Sequence, residues 1–178
     1  MVLALGVAMA CGQSQAPGPS ASASASPALP PLKVATKLLD PGDDAPLFAL
    51  LAHTGMSAPL ERFLSKPVVV LFCPDLSAVN CESTLLALRD AWHALRPKVG
   101  MVFVVSKQER VLLREYAYAN ELPFLLLSDG DATVSQGYGV GTAGTSGVQL
   151  FVISPQKKIT ARLPEPSPEA VRQWLAAF

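Results

Sequence analysis

The chain has 178 residues, half of them hydrophobic, and its 14 Lys and Arg balance 14 Asp and Glu. That is one domain's worth of core. A neutral chain with 7% aromatic residues and no Lys/Arg run has no surface for tracking a phosphate backbone, so nucleic acid is excluded as an expected partner.

In chain order, residues 1–11 come first, an apolar run MVLALGVAMA closed by Cys11. Ten apolar residues are too few to cross a bilayer, which takes ~20, but they suit the core of a secretory signal. Small residues around Ala10 placed directly before a Cys resemble the lipobox of bacterial lipoproteins. In that motif the Cys thiol is diacylated and becomes the new N-terminus. The resemblance implies lipidation at Cys11 and a membrane-anchored, extracytoplasmic location in a bacterial envelope, with plain secretion as the simpler alternative. Residues 12–31 carry no charge and are almost wholly Ala, Ser, Pro, Gly and Gln. Such a segment cannot bury enough surface to offset its ordering entropy and reads as a disordered tether, reaching roughly 60 Å if extended.

The folded domain is expected over 32–178. A strand and turn are read in LFALLAHTG, followed by a short element through Leu60–Phe63. Pro67 to Phe72 is a continuous β-branched run, the pattern of a strand covered on both faces. From Asn80, taken as an N-cap, the period changes to 3.6, with Leu85, Leu88, Trp92 and Leu95 on one stripe. VGMVFVVS reads as a second core strand. Lys107 to Asn120 reads as an amphipathic helix offering Val111, Leu112, Tyr116 and Ala119 to the core. PFLLLSD is a third core strand, Asp129-Gly130-Asp131 turns into a short helix ending at Tyr138, and VQLFVIS and KKITARL form a hairpin across Pro155-Gln156-Lys157. Ser167 caps a terminal helix that has Pro168 at its first position. The order β-β, β, α, β, α, β, short α, β-β, α describes an α/β sandwich around a mixed sheet.

The blocks GDDAPLFALLAHTG, KPVVVLFCP, LALRD, LPFLLLSDGDATVSQGYGV and FVISPQKKI, in that order and spacing, resemble the peroxiredoxins of the bacterioferritin-comigratory (thiol peroxidase Q) type. The resemblance spans about Leu38 to Phe178 and implies a thioredoxin-like fold. It further implies a Pro-x-x-x-Thr-x-x-Cys active-site loop feeding a helix, with a distant Arg completing the peroxide pocket. Pro74 and Cys81 occupy the Pro and peroxidatic Cys positions. The Thr position is Ala78, the position of a resolving Cys five residues on is Leu86, and the Arg falls at or near Val148. Cys73 stands where the family usually has an aromatic residue.

A thiolate attacks peroxide well when its pKa is lowered and donors orient the peroxide. Ala78 and Val148 donate nothing, Glu82 places a negative charge beside Cys81, and Arg89 lies roughly 12 Å further along the helix. Three functions therefore stand side by side. The first is an exported thiol peroxidase working through Cys81 on a hydroperoxide, resolved by Cys73 or an external thiol reductant. The second is a catalytically degenerate thioredoxin-fold binding or structural lipoprotein. The third is a dithiol oxidoreductase using Cys73 and Cys81 on protein thiols. Cys73 is read as a small buried hydrophobe or as a disulfide partner of Cys81. His53 and His93 are expected to be solvated, no Cys/His spacing suits a metal, and no cofactor is implied. The glycines of GYGVG lack the strand and helix context of a phosphate cradle.

Overall fold

The computed structural model describes residues 32–141 and 147–177. The expected signal and tether, Cys11 among them, lie outside those residues.

Among the described residues seven strands form one mixed sheet in the order β2-β1-β5-β4-β3-β6-β7. They are β1 (Ala49–Ala52), β2 (Ser57–Pro59), β3 (Val68–Phe72), β4 (Met101–Ser106), β5 (Leu125–Ser128), β6 (Gln149–Ile153) and β7 (Ile159–Pro164). The three central strands β5, β4 and β3 run parallel, with Val68 facing Met101 and Phe103 facing Leu125. Strands β1 and β6 flank them antiparallel. Parallel neighbours need a crossover, and helices supply both: α1 (Val79–Asp90) and the short α2 (Trp92–Leu95) between β3 and β4, and α3 (Arg110–Ala119) between β4 and β5. Helices α4 (Thr133–Gly137) and α5 (Pro168–Ala177) complete the set.

Alternation along β3 divides the core in two. Val69, Leu71 and Cys73 pack with Leu85 and Leu88 of α1, Leu113 of α3 and Val171 of α5. Val68, Val70 and Phe72 pack on the opposite face with Phe48, Leu60, Phe103, Val134 and Tyr138. With both faces covered, every residue of β3 is buried, which is why its sequence is an unbroken apolar run.

Three local expectations change. Helix α1 begins at Val79 with Ala78 as N-cap, because Ala78 holds the last extended backbone (φ −66°, ψ 130°), so Asn80 lies within the first turn. Helix α3 starts at Arg110 and its buried face is Leu113 and Ala117, with Val111 and Leu112 exposed and Ala119 on the surface. Tyr116 is half-buried against the core as expected, and Glu109, just before the helix, holds extended backbone (φ −65°, ψ 148°). His53 is buried, 8% exposed, because its Nδ1 accepts the Leu126 N–H (3.2 Å) at the end of β1. His93 is exposed as expected.

The segment after α4 is fixed by a glycine. Gly139 has φ +76°, and a Cβ there would stand 2.2 Å from the Lys37 carbonyl oxygen. Left-handed backbone and a backbone clash combine, so Gly139→Ala is expected to cost about 2–4 kcal/mol, read as a lower midpoint in urea unfolding with an unchanged slope.

Candidate active site

Strand β3 carries the chain to Cys73, whose N–H donates to the Val105 carbonyl (2.8 Å) and extends the ladder by one residue. Pro74 has no N–H to continue it. Asp75 then builds a tight turn: its Oδ1 accepts from the Ser77 hydroxyl (2.7 Å) and the Ser77 N–H (2.9 Å). Those two donors, the hydroxyl first, hold the Asp75 carboxyl below the usual carboxylate range. The Ala78 N–H closes the turn onto the Asp75 carbonyl (3.2 Å), and α1 starts at the next residue.

This turn brings two distant-looking thiols together. The Sγ atoms of Cys73 and Cys81 are bonded, with their Cα atoms 5.8 Å apart, inside the range that a disulfide spans without backbone movement. Both residues are fully buried. Helix α1 is regular through the bonded Cys81, whose N–H donates to the Ala78 carbonyl at 2.9 Å. One turn further on, the buried Thr84 hydroxyl sits between the Asn80 and Pro166 carbonyls (2.7 and 2.6 Å) and shares its hydrogen between them. This ties the cysteine-bearing turn to the segment that enters α5. Sequence reasoning passed over Thr84, although its spacing of three from Cys81 places it on the same helical face.

Above the loop lies a cavity of about 590 Å³. Pro74, Ala78 and Val148 all form part of its wall, so the structure gathers three positions separated by up to 74 residues into one site. Val79 and Val140 extend its apolar lining, and Lys107, Asp75 and Glu165 supply charge. Lys107 was not singled out by sequence, since a lone exposed Lys at a strand end carries no pattern. Leu86 lies half-buried on α1 and outside the cavity lining. Arg89 is directed elsewhere, to Asp90 (3.0 Å) and the Asn120 carbonyl (3.2 Å).

The AhpC/TSA family model matches residues 41–162, which takes in every strand but the last two residues of β7 and the whole cysteine loop. The chain belongs to the AhpC/TSA family. It is 31% identical over 102 residues to a bcp peroxiredoxin of Coxiella burnetii, covering 57% of this chain and 68% of that one. To the chloroplastic peroxiredoxin Q of japonica rice it is 31% identical over 99 residues, 56% of this chain and 46% of that one, so it spans about half of the rice protein's length. Among solved structures it is similar to the peroxidoxin BcpB of Mycobacterium tuberculosis, with a TM-score of 0.68 at 25% identity, covering 77% of this chain and 94% of that one. The thioredoxin-like fold expected from the resemblance is therefore the fold of this AhpC/TSA member.

Within the family frame the N-cap of α1 is a weak point. Ala78 makes no side-chain cap, and its backbone already has the extended conformation that a capping Thr adopts. Ala78→Thr is expected to raise stability by about 0.5–2 kcal/mol, checked by denaturant unfolding of the oxidised protein.

Proposed function

We propose that the protein is a thiol-dependent peroxidase in which Cys81 reacts with the hydroperoxide and Cys73 resolves the product. The observation that carries this reading is the Cys73–Cys81 bond formed with α1 intact, because a resolving thiol must reach the peroxidatic sulfur. Family membership and the peroxiredoxin relatives support the thiol-peroxidase chemistry in general.

In the reduced protein Cys81 is the third residue of α1, where the helix dipole favours a thiolate. The thiolate attacks the terminal peroxide oxygen, an S–O bond forms, the O–O bond breaks, and the alkoxide takes a proton and leaves as the alcohol. Cys81 is then a sulfenic acid. The Cys73 thiolate attacks that sulfur, the S–S bond forms, and hydroxide leaves as water. Two electrons have passed from the dithiol to the peroxide, and an external thiol reductant restores the pair by exchange. The apolar wall of Pro74, Ala78, Val79 and Val148 favours an organic hydroperoxide over hydrogen peroxide.

Thr and Arg donors are replaced here by Ala78 and Val148, and groups of this kind are each commonly worth about 10²-fold in rate. Ala78→Thr is accordingly expected to raise the second-order rate with cumene hydroperoxide by about 10-fold or more, measured by stopped flow. The reduced wild-type domain should itself outpace free cysteine in the same instrument. A rate no better than free cysteine would sink the peroxidase reading in favour of a degenerate binding module.

Export with lipidation at Cys11 is proposed on the sequence pattern of residues 1–11 and the uncharged tract of 12–31. Expression of the full chain in a bacterium with labelled palmitate tests it: label on the wild type and none on Cys11→Ser is expected, and an unlabelled wild type rejects the anchor.

A further inference from the structure

A second, polar pocket shares no residue with the cavity beside the Pro74–Cys81 loop. It holds about 120 Å³ and is lined by His53, Thr54, Gly55, Arg110, Val111 and Arg114. Three features distinguish it from ordinary surface.

The imidazole of His53 is held rigidly. Its backbone N–H donates to the Leu126 carbonyl (2.7 Å), its Nδ1 accepts the Leu126 N–H (3.2 Å), and its ring meets the edge of Tyr118 at 6.3 Å between centroids. An accepting Nδ1 puts the ring proton on Nε2. Burial pushes the His53 pKa down and keeps the ring neutral at physiological pH. The Nε2–H has no acceptor among the described residues and, with His53 part of the pocket wall, it is open to a solvent or ligand acceptor there.

Arg110 and Arg114 stand one helical turn apart on α3. Among the described residues neither guanidinium has an ion pair or hydrogen bond, a state they share with exposed cations such as Arg62 and Arg96; what sets them apart is that the two stand side by side on one pocket wall. No Asp or Glu lines the pocket. The turn below places Gly55 beside the first of these arginines: its φ of +91° suits glycine, and a Cβ there would make ordinary contact with Arg110 Nη1 at 3.5 Å. Arg110 is also the first residue of a ten-residue helix, so the positive end of its dipole adds to the field.

Two arginines, a histidine carrying a neutral N–H and the hydroxyl-bearing Thr54 line a space about four times a water's share of liquid volume. Planar guanidinium forks match the oxygens of a tetrahedral oxyanion, and two positive charges match a dianion. The volume admits a phosphoryl group and leaves no room for a nucleoside. We infer that His53, Thr54, Arg110 and Arg114 form a binding site for a phosphoryl dianion, either free inorganic phosphate or the head of a phosphate monoester whose remainder projects into solvent.

The test is a ¹⁵N-detected NMR titration of the full-length chain with inorganic phosphate and, separately, with glycerol 3-phosphate, chloride holding ionic strength constant. Saturable shifts at Gly55, Arg110 and Arg114 with a dissociation constant of about 1 mM or below are expected. Arg110→Gln and Arg114→Gln should each weaken binding about tenfold or more, and Arg162→Gln should leave it unchanged. His53→Phe, which removes the Nε2–H, should weaken it as well. Because Arg110 and Arg114 are exposed, unaltered melting of their variants separates lost binding from lost folding. Saturation by both ligands assigns a monoester head, and saturation by phosphate alone assigns the free ion. Linear shifts up to about 50 mM, the same shifts produced by chloride, or binding indifferent to both arginine variants would overturn the inference.

Discussion

Replacing Cys81 by Ser is expected to cut peroxide consumption by about 10³-fold or more relative to the reduced wild type. The introduced hydroxyl would ionise far above physiological pH, and neither Ala78 nor Val148 in the cavity wall can lower that cost. Stopped-flow consumption of cumene hydroperoxide reads the loss directly. Fold integrity is checked alongside by near-ultraviolet dichroism, because Cys81 is fully buried and the disulfide would also be lost. A substituted protein that still consumed peroxide would remove Cys81 from the mechanism.

The complementary variant separates the two sulfurs. With Cys73→Ser, the first oxidation should proceed within a few-fold of wild type while turnover with a dithiol reductant falls by about 10-fold or more, and mass spectrometry should find Cys81 gaining oxygen in place of a disulfide. Excess peroxide should then carry Cys81 to the irreversible sulfinic state, an overoxidation expected to be slower in wild type, where Cys73 lies 5.8 Å away between Cα atoms. Full turnover by the Cys73 variant would mean that an external thiol resolves Cys81. The same substitution removes a covalent loop from Cys73 to Cys81, worth about 2–3 kcal/mol in the chain-entropy account, so the comparison is made well below the melting transition.

Of the positions the family resemblance points to around Cys81, the structure sets Pro74, Ala78 and Val148 in the wall of one cavity beside the loop and leaves Leu86 outside it. The central strands were legible because burial on both faces leaves an unbroken apolar run, as in Val68–Phe72. Helix phase was less so. On α3, Tyr116 packs against the core as expected, but Val111, Leu112 and Ala119 face outward and Leu113 and Ala117 inward, because which stripe of a mixed helix is buried is set by how it docks on the sheet. His53 was read as solvated because nothing in one sequence announces that Leu126, 73 residues away, will offer its N–H to the ring.

By itself, then, the sequence determined the alternating α/β order, the two-sided core and the place of Cys81 at the start of a helix, since these follow from periodicity and from residues near one another in the chain. The state of Cys73 was decided by tertiary structure. As a residue in a list it fits a buried hydrophobe as well as a redox partner. Once the Asp75–Ser77 turn folds the strand end back under the helix start, the two thiols lie close enough to bond. The pairing of His53 with Arg110 and Arg114 was decided the same way, because β1 and α3 meet only when strand β5 has inserted beside β4 and carried the helix across the sheet.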